Sequence, residues 1–206
     1  MKYVSWPLII TMSLLFASEV LAQRVQYTPP QKGGPSLRVD PAFRSSGCSI
    51  PSDFKLHVIA PEHLAYTISP QPTLYWCVNK ELEGTFALTI TEMESGFSFS
   101  EPLVEKSFDW KVEPGEYNEI SLADLKTHPL KNNVDYKWTV ALVCDKKNRS
   151  LDIGQTGGVR YVSKLKRSVK ATDLNKLARK GIWYDLFENA KSKREDLLNQ
   201  IGLSCK

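Results

Sequence analysis

Two hydrophobic rhythms divide the chain. From Cys48 to Ser163 apolar residues alternate with polar ones in short runs, and beyond Lys164 they recur at every third or fourth position. The first rhythm belongs to strands, whose successive side chains point to opposite faces, and the second to amphipathic helices. Seven runs carry the strand pattern: "FKLHVI" (54–59), "TLYWCV" (73–78), "TFALTITEM" (85–93), "PLVEKSFDW" (102–110), "YNEISL" (117–122), "YKWTVALVC" (136–144) and "GVRYVS" (158–163). Prolines and other turn residues separate them, and the glycines of "GQTGG" (154–158) read as a turn between two strands. So many short strands at such spacing predict an all-β sandwich over residues 48–163.

The strongest alternation lies in "VDYKWTVALVC". Tyr136, Trp138, Val140, Leu142 and Cys144 fall on one face, which is apolar enough to be a core face. Trp76 is likewise read as core. The leucine-bearing approach before Tyr136 is similar to the corner that precedes the tyrosine-bearing strand of immunoglobulin-like sandwiches. There a Tyr hydroxyl bonds back to that corner, and Tyr136 is the candidate for this role. The expected fold is therefore mostly β, an immunoglobulin-like antiparallel β-sandwich followed by a C-terminal α-helical pair packed on it.

In the helical stretch (164–206) the apolar groups are Leu174, Leu177 and Ala178; Ile182, Leu186, Phe187 and Ala190; and Leu197, Leu198 and Ile201. Thr172 or Asp173 is the expected N-cap, and Gly181 the break or C-terminal cap between a short helix and a longer one. Trp183 and Phe187, one turn apart, are the expected main contacts with the sandwich. At the other end, residues 1–22 have the small basic start, apolar run and small-x-small exit of a secretory signal peptide. Residues 23–47 are rich in Pro, Gly, Ser, Gln and Arg and read as a flexible linker.

Charge and chemistry change this picture little. The net charge is +4 over 206 residues, and its positive excess lies in the helical tail. The four cysteines follow the expected cleavage site and are even in number, which favours two disulfides in an oxidising compartment without choosing among three connectivities. No His is tied by sequence to Cys144, so a catalytic thiol is not expected. The cysteines lack the close spacing of a zinc site, and His57 and His63 read as loop histidines. "GQTGG" lacks the Lys-Ser/Thr of a phosphate loop. The carboxylates Glu92, Glu94, Glu101, Glu105 and Asp109 are scattered, with no spacing that marks an acid–base pair. No basic-aromatic interleaving suggests nucleic acid, and no segment beyond the leader reads as a transmembrane anchor.

The motifs "GC" (47–48), "PTLYWCV" (72–78), "DYKWTVALVCDKKNRSLDIGQTGGVRYV" (135–162) and "LARKGIWYDLFENA" (177–190), in this order, resemble the domain of unknown function 928 family of exported bacterial proteins. The match rests on Cys48, Pro72-Thr73, Tyr136, Trp138, Cys144-Asp145, Arg149-Ser150 and Gly181 to Asp185. The resemblance implies an exported protein and a bond between Cys48 and Cys144. Cys77 and Cys205 fall outside the family pattern; a second bond between them would pin the last residues to the sandwich. It implies no activity. The resulting expectation is a non-enzymatic interaction or structural domain of the bacterial cell envelope that binds a protein or envelope component. It has no catalytic residues, metal ligands or cofactor, and Lys180, Lys191, Lys193 and Arg194 form the polar contact surface. The alternatives are a carbohydrate-binding or glycan-acting envelope protein, and thiol-disulfide chemistry through Cys77 or Cys205.

Overall fold

The structure, a computed structural model, describes residues 24–30, 37–38, 48–51, 53–93 and 101–206. The expected signal peptide, most of the linker and Glu94 lie outside the described residues. Among the described residues eight strands form two sheets. Strands β1 (Leu56–Val58), β3 (Thr73–Val78) and β6 (Asn118–Ser121) make a three-stranded antiparallel sheet in the order β1-β3-β6. Strands β2 (Ala65–Thr67), β8 (Ile153–Tyr161), β7 (Asp135–Leu142), β4 (Leu82–Glu92) and β5 (Val104–Val112) make the second sheet, in that order. All pairings are antiparallel except β2 with β8. The architecture is mostly β, and its strand order is consistent with the immunoglobulin-like arrangement.

The alternation explains the layers. On β7, Tyr136, Trp138, Val140 and Leu142 are buried while Lys137 is exposed. On β3 both faces are buried because the strand lies in a middle layer. Trp76 packs against Phe86 of β4, with ring centroids 4.7 Å apart. Tyr75, on the opposite face of β3, packs against Phe187 of the helical segment at 5.2 Å. Around β3 the order of layers is thus five-stranded sheet, three-stranded sheet, helices, while α3 also reaches the five-stranded sheet directly at β2, β7 and β8. Burying both faces of a central strand gives Trp76, Trp138, Trp183, Tyr136 and Phe187 their place in one continuous core. Tyr136 makes the anticipated corner: its hydroxyl accepts a bond from the Lys131 N–H at 3.2 Å.

Three departures from the pattern have physical causes. First, "GQTGG" is not a turn but the interior of β8. A Cβ on Gly157 would lie 2.7 Å from Trp138 Nε1 and 2.8 Å from the Ala60 Cβ, and one on Gly154 2.8 Å from the Ala141 Cβ. These glycines serve close packing. Second, β2 is a strand that the alternation missed, since it has only three residues. Third, residues 24–30 have no regular structure yet are partly buried. Val25 and Tyr27 join the core, Tyr27 N–H donates to Gln200 Oε1 at 2.9 Å, and Gln200 Nε2 returns a bond to Val25 O at 2.9 Å. Two apolar side chains suffice here because the helices supply the rest of the pocket.

The helical segment holds α1 (Ser163–Lys166), α2 (Leu174–Arg179), α3 (Trp183–Asn189) and α4 (Arg194–Gln200). It is thus a set of short helices rather than a pair. Asp173 caps α2 by accepting from the Lys176 N–H. Gly181 follows with φ of 71°, where a side chain would also meet Pro30 at 2.7 Å.

Candidate functional site

The family-like stretch from Gly181 to Asp185 is where the three layers meet. Gly181 O accepts the Tyr66 N–H at 3.0 Å, placing the start of α3 beside the edge strand β2. The Trp183 indole N–H donates to Ile59 O at 2.9 Å. Trp138 Nε1–H of β7 donates to the Tyr184 hydroxyl at 2.8 Å, and that hydroxyl donates to Gly158 O of β8 at 2.8 Å. Asp185 Oδ2 accepts from Thr67 Oγ1 at 2.8 Å and from the Ile68 N–H at 3.0 Å. Four consecutive side chains, Ile182 to Asp185, are therefore buried, and the three polar ones are bonded to strands or their connections. Burial raises the Asp185 carboxyl above its ordinary range, and the two donors only partly offset this. Burial likewise pushes the Tyr184 phenol up. A general acid or base needs access to a substrate proton; these groups face the core, so the motif acts as a bolt.

Arg194 completes the joint. Its guanidinium lies 4.7 Å from the Tyr75 ring centroid, 4.9 Å from that of Phe187 and 5.7 Å from that of Tyr117. Its Nε and Nη2 donate to Phe187 O and Glu188 O at 3.0 and 3.3 Å. Arg194, expected at the contact surface, is half-buried and held in place by three rings and two carbonyls. The aromatic partners come from β3, the segment before β6 and α3, so the charge pattern alone concealed the cage. Lys180 and Lys191 are exposed and Lys193 is half-buried.

Cys48 is bonded to Cys144 and Cys77 to Cys205. The second bond is buried, with Cys77 0% and Cys205 5% exposed, and the described residues include no free cysteine. Thiol chemistry at Cys77 or Cys205 has no accessible sulfur to start from. His57 is on β1 and half-buried, not in an exposed loop, and His63 is half-buried in the connection before β2. Of the scattered carboxylates, Glu92 pairs with Lys131 at 2.9 Å and Asp109 accepts from Thr85 Oγ1 at 2.6 Å. The described residues contain no group of His, Cys, Asp and Glu able to hold a metal.

One stretch of the surface is cationic. Lys164, Lys166, Arg167, Lys170, Arg179 and Lys180 are exposed, and none forms an ion pair with another described residue. Val169, 6% exposed, anchors the middle of this strip to the body. A second surface feature is an open groove of about 540 Å³ along β4 and β5, lined by Glu83, Gly84, Thr85, Asp109, Trp110 and Lys111. Trp110 is half-buried there, stacked on Phe108 at 5.0 Å and 5.4 Å from Trp76.

Fold and site together define a disulfide-bonded β-sandwich with a helical layer bolted across it. Residues 40–204 match the family model described as Domain of Unknown Function (DUF928), and the chain belongs to that family. No curated protein and no solved structure matched the chain. Among the described residues no helix is long and apolar enough to cross a membrane, and the two disulfides fit an oxidising compartment.

Proposed function

We propose that the protein is an exported, non-enzymatic interaction or structural domain of the bacterial cell envelope that binds a protein or another envelope component. One observation carries this reading. The polar groups of the family motif are spent on holding the layers together, whereas Lys164, Lys166, Arg167, Lys170, Arg179 and Lys180 are exposed and form no ion pair among the described residues. Paired inward and unpaired outward groups suit a rigid body whose work is done by its surface. The disulfides and the family resemblance support placement outside the cytoplasm.

Retention on envelope fractions tests the proposal. The processed, oxidised protein is expected to sediment with washed envelope material, and reversal of Lys164, Lys166, Arg167 and Lys170 to Glu is expected to release it. Absence of wild-type retention would overturn the reading. The groove beside Asp109, Glu83 and Trp110 favours glycan binding as a second reading, since carboxylates beside an aromatic ring suit sugar hydroxyls and ring faces. Binding on a glycan array that Asp109→Ala abolishes would establish it, and an array without hits would remove it.

A further inference from the structure

The strip from Ser163 to Lys180 holds seven Lys or Arg against the single Asp173, a net of +6 in a chain whose total is +4. The rest of the molecule is therefore slightly acidic, and the acid is displaced from the strip. Glu81, Glu83, Asp109, Glu113 and Glu116 gather where β4 begins and β5 ends, at the Leu82–Val112 pair, and outnumber the two lysines there, Lys80 and Lys111, the latter paired with Glu81 and Glu113. The strip starts at the opposite end of the same sheet, where β8 finishes at Tyr161 beside Asn132 and Asp135. The protein is thus polarised along its strands.

We infer that this strip docks the protein on a lipid bilayer bearing anionic headgroups, with the acidic corner turned away; the inference rests on the envelope-binding reading above. Three features favour a bilayer over a folded partner or a nucleic acid. Five of the seven cations are lysines, whose flexible point charges suit a surface of mobile headgroups better than a fixed carboxylate or phosphate fork. No aromatic residue lies in the strip, whereas protein hot spots and single-stranded nucleic-acid sites are built on them. The strip's large apolar side chains are turned inward or half-covered: Val169 and Leu177 are buried, Leu165 and Leu174 are half-buried, and only the small Ala171 is exposed. Attraction is therefore electrostatic, without insertion, and it weakens as salt shortens the Debye length.

The test uses processed, oxidised protein sedimented with phosphatidylcholine vesicles made with or without phosphatidylglycerol. Binding is expected only with phosphatidylglycerol and is expected to fall as salt rises. Each cation near the surface contributes about fivefold in affinity, so the variant K164E/K166E/R167E/K170E is expected to lose at least about a hundredfold. All four side chains are exposed, so its melting temperature is expected to match the wild type. Arg194→Lys, which alters a half-buried cage outside the strip, is expected to bind as the wild type does. Equal binding to both vesicle types, or unchanged binding by the quadruple variant, would overturn the inference. Loss of vesicle binding alongside persisting retention on delipidated envelope protein would overturn it while leaving the broader reading intact. Salt-sensitive self-association in sedimentation velocity without vesicle binding would also overturn it, assigning the strip to the acidic corner of a second copy.

Discussion

Replacing Asp185 separates a structural bolt from a chemical group. Asp185 is 7% exposed, and its Oδ2 takes both the Thr67 hydroxyl and the Ile68 N–H. In Asp185→Ala the Ile68 N–H is left buried without a partner, while Thr67 keeps a weaker option at Ser69 O, 3.4 Å away. An unsatisfied buried donor costs about 1 to 3 kcal/mol. Adding the lost bond to Thr67 gives an expected destabilisation of about 2 to 4 kcal/mol. In Asp185→Asn one amide oxygen can accept both bonds, so the expected loss is within about 1 kcal/mol. The two variants also differ from wild type in pH dependence. Burial raises the folded carboxyl above its unfolded value, so the folded state binds more protons between those values. Wild-type stability is therefore expected to fall as pH rises through that window, and the Asn variant to lack this component. Urea unfolding at several pH values reads both effects through the midpoint at constant slope. An Ala variant as stable as wild type, or an Asn variant as damaged as the Ala variant, would refute the reasoning.

Three further outcomes follow from the packing. Arg194→Lys loses the flat guanidinium between Tyr75 and Phe187 and is expected to cost about 1 to 2 kcal/mol in thermal or urea unfolding. Gly157→Ala puts a methyl group against Trp138 and Ala60, both held in the core, and is expected to cost about 1 to 3 kcal/mol by overpacking. Replacing Cys77 and Cys205 together by Ser opens a link across 128 residues. The chain-entropy model gives a loss of about 4 to 5 kcal/mol, measured against wild type in which thiol titration is expected to find no free sulfur.

Much of the fold was legible because its signals are local. The alternation of Tyr136, Trp138, Val140 and Leu142 needs no tertiary information to name a core face. Asp173 and Gly181 mark helix ends by their own chemistry. What escaped is non-local. Gly154 and Gly157 look like turn residues until Ala141, Trp138 and Ala60 are seen where side chains would go. Arg194 looks like a solvated charge until Tyr75 and Tyr117 arrive from far upstream. Val25 and Tyr27 look too few to bury, yet Gln200 and Trp183 stand ready to receive them. Asp185 was visible as part of a motif, but its role depended on Thr67, which ends a strand too short to announce itself, and on Ile68 just after it. Of the expected contact residues Lys180, Lys191, Lys193 and Arg194, the first two are exposed and the last two half-buried, and the exposed cations continue upstream to Lys164.

The Gly181–Asp185 bolt and the Cys77–Cys205 bond are expected to make the helical layer and the sandwich one cooperative body. Native-state hydrogen exchange across a urea series tests this directly. The amides of residues 182–187 are expected to exchange with the same free energy and urea slope as those of β7. If they opened at markedly lower free energy while β7 stayed protected, the helices would be a separable appendage and the structural reading of the motif would be wrong.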